Sequence, residues 1–185
     1  MAILINPFRF ASAPSGPTDT GWLFPTSYDE SGGDEDWLLP TNVYADDTNY
    51  ASVDVDDEEA SRTLITMGYG FAIPSGATIL GVEVEHIRWC IDSDDLYESV
   101  ERLVVAGSVA GTNKANTSSI LPKSETVVTR GSSSDLWGLI NGSTITAEIC
   151  NASTFGFGMA VFEDDRDGRT EANYDYNKMK VHYST

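Results

Sequence analysis

The tripeptide Pro74-Ser75-Gly76 sits between two apolar runs, Tyr69 to Ile73 and the stretch from Thr78 onward, and limits what the middle of the chain can become. Proline presets φ for a turn and glycine supplies positive φ, while neither fits a strand interior. After the turn, Leu80, Val82 and Val84 fall on one side and Glu83 and Glu85 on the other. A period of two suits a half-buried strand and no helix. The segment predicts a strand, a turn and a second strand in a sheet with one wet face.

The same texture runs through the chain. Val100 to Val109 and Ser143 to Cys150 alternate, and Glu125 to Thr129 reads as a short strand. Phe155, Phe157, Met159 and Val161 share a face, as do Met179, Val181 and Tyr183 at the close. Ser134 or Asp135 is placed to cap one helical turn at Leu136 to Leu139. The pattern predicts an all-β fold, a single antiparallel, jelly-roll-like β-sandwich of about eight to ten short strands with little helix. Residues 1–18 read as an N-terminal arm and linker, and 19–185 as the sandwich domain. The run Asp29 to Asp36, acidic and glycine-rich, reads as a solvated loop.

Charge narrows the partners. Eleven Lys and Arg stand against 29 Asp and Glu, a formal net charge of -18, which phosphate backbones and anionic membranes repel. Nucleic acid and membrane are therefore not expected as partners. Met1 to Pro7 lacks a basic region and a long apolar run, so neither a signal peptide nor a membrane span is expected. Cys90 and Cys150 each end a predicted strand. One disulfide is geometrically conceivable, but two cysteines make no disulfide framework, and buried free thiols are the expectation.

No constellation reads as a catalytic centre. His86 and Cys90 lie four residues apart on one strand, about 13 Å, too far for a thiol and its base. Glu83 and Glu85 are about 6.7 Å apart on one face, near glycosidase carboxylate spacing, yet any solvated Val/Glu strand gives the same interval. Asp164, Asp165 and Asp167, ahead of Gly168, form the one candidate calcium loop; no other cofactor is indicated. Trp22, Phe24, Tyr28 and Trp37 offer either a sugar-stacking platform or ordinary core and interface packing.

Several stretches together resemble bacteriophage and prophage virion proteins of β-sandwich type. They are Trp37-Leu38-Leu39-Pro40-Thr41-Asn42, Tyr50-Ala51, the run Gly70 to Val84, Asn113-Lys114-Ala115, Leu121-Pro122, Ser134-Asp135-Leu136-Trp137-Gly138 and the closing strand Met179 to Tyr183. The resemblance covers Trp37 to the C-terminus and implies a non-enzymatic subunit of the particle, a tail, fibre or head-decoration protein located in the virion. Its partners would be copies of itself and other virion proteins. The apolar arm residues Ile3, Leu4, Ile5, Phe8 and Phe10 are the expected interface. The alternative is a carbohydrate-binding module on a receptor-binding appendage, with glycans as partners and calcium in support.

Overall fold

The computed structural model describes residues 16–91, 95–164 and 169–185. Among these residues ten strands form two antiparallel sheets: β1 Thr18–Asp19, β2 Ser27–Ser31, β3 Ala51–Val55, β4 Thr63–Met67, β5 Thr78–Ile91, β6 Leu96–Val105, β7 Ser108–Ala110, β8 Thr126–Gly131, β9 Gly156–Glu163 and β10 Thr170–Ser184. One sheet runs β3-β10-β5-β8, with β1 beside the far half of β10, and the other runs β2-β4-β9-β6-β7. Strands β3 to β10 thus occupy the two sheets in the order of an eight-stranded jelly roll. The sandwich expected from the alternating pattern is the observed fold. Side chains of the two inner faces, among them Val53, Val82, Val84, Leu103, Phe157, Met159, Tyr174 and Val181, fill one core.

Two connections show how local chemistry fixes the layout. Strands β6 and β7 turn at Ala106-Gly107, whose φ values of 52° and 78° give the left-handed pair that a tight hairpin needs. Gly131 ends β8 at φ 78°, and a Cβ there would meet the Val82 carbonyl and the Trp137 indole. Its absence lets Trp137 sink fully into the core and donate Nε1–H to Val82 O at 2.9 Å.

Four local expectations are corrected. Tyr69 to Ile73 is not a strand: Gly70 takes φ 70° within it, and the Ile73 backbone is held by a side chain instead of a neighbouring strand. Ile73 N–H donates to Asn151 Oδ1 at 2.9 Å, and Asn151 Nδ2 donates back to Ile73 O at 2.8 Å. Ser143 to Cys150 is not a strand. Thr146 caps a short helix, Ala147–Asn151, by accepting from Ile149 N, a local hydrogen bond that outweighs the period-two pattern. Asp135 does cap, but it closes a turn: Oδ1 accepts from Trp137 N at 2.7 Å while Trp137 takes φ 56°. The acidic run 29–36 is not wholly a loop either, since Asp29 and Glu30 pair with Ile65 and Leu64 as part of β2.

Replacing Asn151 by Ala strips both partners from the Ile73 backbone. The expected loss is about 2 kcal/mol of unfolding free energy, measured by urea denaturation, with Asn151→Asp losing about half as much because it keeps the acceptor.

Candidate functional site

The inward row of β5 runs Val82, Val84, His86, Arg88, Cys90, so apolar packing gives way to two polar side chains halfway along the strand. Across the core, β6 answers with two glutamates. Strict alternation would put Glu98 and Glu101 on opposite faces, but Ser99 is an extra residue in the pairing with β9. The bulge turns both carboxylates inward, opposite Val161 and Met159. Asn113 holds it open: Oδ1 accepts from Glu101 N at 2.8 Å, and Nδ2 donates to Ser99 O at 2.8 Å. Arg130 enters from β8, where it pairs with Val84.

These five side chains form one network between the sheets. Arg130 Nη2 donates to Glu98 Oε2 at 2.8 Å and Oε1 at 3.1 Å, while its Nε pairs with Glu101 Oε2. Arg88 Nε meets Glu98 Oε1, and the Asn116 N–H donates to Glu98 Oε2. His86 Nε2 lies 3.0 Å from Glu101 Oε1, at ion-pair distance though off the ring N–H direction. His86 and Glu101 have no solvent exposure. The Tyr174 and Phe157 rings lie 5.4 and 6.0 Å from the imidazole.

Burial alone would raise the Glu101 carboxyl, yet His86 and Arg130 hold it below the usual carboxylate range. Burial would lower Arg130, and Glu101 and Glu98 outweigh it, so the guanidinium stays charged. Tyr174 is pushed far up, first by burial and then by Glu98 and Glu101. Two guanidinium charges stand against two carboxylates.

Ligand atoms of His86, Glu98 and Glu101 lie within 4.8 Å of one another, the donor set of a metal centre. Arg88 and Arg130 already occupy those carboxylates, so a metal would have to displace a guanidinium. With the imidazole fully buried, the cluster ties the two sheets together.

The other candidate residues lie apart from this network. His86, which Cys90 on its own strand cannot partner, lies in the core, because the inward row of β5 includes it. Glu83 and Glu85 face outward, each neutralised by the neighbouring strand. Lys180 Nζ and His182 Nε2 reach Glu83 at 2.9 and 3.0 Å, and Lys178 Nζ and the Tyr176 hydroxyl both reach Glu85 at 2.7 Å. Cys90 and Cys150 are buried thiols outside any disulfide, as expected; Cys90 Sγ–H donates to Leu121 O at 3.3 Å, and burial pushes the Cys150 thiol up to about 12.

The four aromatics do not form one platform. Trp37 is a core residue that donates Nε1–H to Arg62 O, Trp22 lies beneath Lys180 and Lys178, Phe24 meets the edge of Tyr176, and Tyr28 is exposed on β2. Asp164 lines a cavity of about 440 Å³ with Tyr97, Glu98, Ser99, Thr117, Ser118 and Phe162. Asp165 and Asp167 lie outside the described residues, as do the arm residues Ile3, Leu4, Ile5, Phe8 and Phe10. A further acidic group, Glu35, Asp56 and Glu59, is served by Arg169, 3.3 Å from both Glu35 and Asp56.

No protein-family model matches the chain, and no curated protein matches it in sequence. Among solved structures, one described as a crystal structure with xylogluco-oligosaccharide aligns at a TM-score of 0.42 and 8% identity, over 85% of this chain and 38% of that one. The chain spans well under half the length of that protein, and a likeness at this level carries no argument about ligands.

Glu101→Gln removes one of the two buried carboxylates that face Arg88 and Arg130, leaving Glu98 alone against two guanidinium groups, and about 3–5 kcal/mol of stability should be lost. Because the Glu101 carboxyl is depressed on folding, its contribution is present above pH 4.5, the ordinary glutamate value, and disappears as the pH falls through the folded value. Urea titrations at a series of pH values should show the gap between wild type and variant widest above pH 4.5 and closing on acidification.

Proposed function

We propose that this protein is a non-catalytic structural subunit that works by association with copies of itself. The supporting observation is an apolar stripe on the outer face of the first sheet. Ile87, Trp89 and Ile91 alternate along β5 on its outward side, and Val127 of β8 pairs with Ile87. Tyr50 packs edge-on against Trp89 at 5.0 Å. Ile91, Val127 and Tyr50 are all exposed. A contiguous apolar strip on an otherwise strongly acidic body is a surface suited to burial against a partner.

The resemblance to bacteriophage virion β-sandwich proteins gives this association a setting in a phage particle, as a tail, fibre or decoration protein. The jelly-roll order of the strands suits that role, though the fold also serves lectins. Among the described residues no helix is long and apolar enough to cross a membrane.

Sedimentation velocity over a rising concentration series should show reversible oligomers. Val127→Glu, at a side chain 56% exposed, should shift the equilibrium to monomer by at least about tenfold, since it opposes an acid to an acidic neighbour, while the melting temperature stays within about 2 °C. A wild-type protein that stays monomeric throughout overturns the reading.

The Asp164 cavity favours a second reading, a glycan-binding module. Tyr97 and Phe162 supply ring surface, while Ser99, Thr117, Ser118 and Asp164 supply polar groups for sugar hydroxyls. Tyr97→Ala and Phe162→Ala should each weaken glycan binding by about tenfold or more without lowering the melting temperature. Silence of the wild type on a broad glycan array removes this reading.

A further inference from the structure

The first sheet ends on an open strand edge. Among the described residues β8 pairs with β5 alone, in one unbroken register from Arg88↔Thr126 to Glu83↔Gly131. The direction of its free backbone groups follows from β5. Val82 N–H donates to Asp135 O at 3.0 Å and Val82 O accepts from the Trp137 indole, while Cys90 N–H donates to Pro122 O at 2.9 Å. Backbone groups of alternate residues face the same side of a strand, so Val82, Val84, His86, Arg88 and Cys90 all address the β8 side. Thr126, Val128 and Arg130, opposite Arg88, His86 and Val84, close that ladder. Val127 and Thr129 therefore turn N–H and C=O away from β5. Both residues are exposed, and no backbone bond among the described residues joins them to a further segment.

An open edge is a template for another chain, and proteins ordinarily block it with charge, proline, a bulge or shortness. The other described edges are blocked in these ways. Strands β1 and β7 have two and three residues, and β2 carries Asp29 and Glu30. Along β3, Leu38 exchanges backbone hydrogen bonds with Ser52 at 2.7 and 3.1 Å. Strand β8 has no such guard. It is six residues long, holds no proline and no acid, and its one charge, Arg130, turns inward to Glu98 and Glu101. In a chain of 29 acids, the stretch from Thr126 to Ser134 contains none.

We propose that β8 of one copy pairs antiparallel with β8 of a second copy across a two-fold axis, joining the two first sheets into one. The pairing rests on the self-association reading above and names the edge through which the copies meet. Strands that pair lie about 4.8 Å apart, an approach that two strongly acidic bodies can make only where acids are absent. A two-fold contact uses the same surface on both copies, and main-chain hydrogen bonds from Val127 and Thr129 supply the attraction. Glu125, just before the strand, is sent to opposite ends of the antiparallel pair. Val127 pairs with Ile87 within its own sheet, so the seam also brings the apolar stripes of the two copies side by side.

Amide hydrogen exchange, read residue by residue by NMR, tests the pairing on the unaltered protein. The Val128 and Arg130 amides, bonded to β5, should be protected at every concentration. The Val127 and Thr129 amides should exchange freely in dilute protein and slow by about tenfold or more where sedimentation shows the associated species. Thr129→Pro removes an outward N–H, a position at which an edge strand accepts proline. It should weaken association by about tenfold or more while the melting temperature falls by no more than about 4 °C, and Thr129→Ser, which keeps the N–H, should associate as the wild type does. A wild type that associates while Val127 and Thr129 still exchange freely overturns the edge pairing and leaves association through the apolar face standing. A folded Thr129→Pro protein that associates undiminished does the same. A wild type that stays monomeric at every concentration overturns both readings.

Discussion

Four charged side chains in the middle of a β-sandwich core can persist only as a set. Removing an ion from water costs several kcal/mol even after relaxation, and Arg88, Arg130, Glu98 and Glu101 recover it through mutual contacts spanning both sheets. Much of the surrounding architecture follows from that requirement. The extra residue at Ser99 puts both glutamates inside, and the loop carrying Asn113 keeps the bulge in place. Lys114, next in sequence, pairs with Asp135 at 2.6 Å and lies over the Trp137 ring, linking the same loop to the turn that seats Trp137 under β5. A change in the bulge would therefore be felt through two loops before it reached solvent.

The chain distributes its acidity by depth. Guanidinium groups neutralise the innermost carboxylates, and the lysines of β10 neutralise the outer row of β5. Loop acids share Arg62 and Arg169 at more exposed sites, where such pairs contribute little to stability. Eleven basic residues cannot reach 29 acids, so the excess lies on loops and edges. Two copies would then approach most easily through the apolar stripe of the first sheet.

The sandwich was legible because its signals are local and repeated. Val82 and Val84 against Glu83 and Glu85 define a strand face whatever the tertiary context, and the closing strand repeats the pattern with lysines outside. Two segments with strand-like patterns are held by a single side chain in place of a sheet partner, Asn151 for Ile73 and Thr146 for the helix at Ala147, while the Asp135 cap closes a turn at Trp137 in place of a helical turn. The central network was not legible for a different reason. The partner of His86 is not on its own strand: Glu101 arrives from β6 through a bulge that no alternation rule foresees. One signal was present: His86 and Arg88 continue the inward parity of Val82 and Val84, and a charged residue at such a position requires a buried partner.

That parity also bears on why a core should keep charges when apolar side chains could fill the same volume with equal or greater stability. Strand β8 is a sheet edge with β5 as its one partner in the sheet, and its apolar pattern is ambiguous, with Val127 outward and Val128 inward as adjacent, similar side chains. Hydrophobicity alone barely separates the observed register from one shifted by a single residue, which would exchange the two faces. Arg130 separates them. In the observed register it neutralises Glu98 and Glu101; shifted by one it would face outward and leave Arg88 as the sole cation against both glutamates. The network thus penalises the slipped pairing far more than the loss of one valine's burial would, and fixes the edge strand that presents Val127 on the outer face.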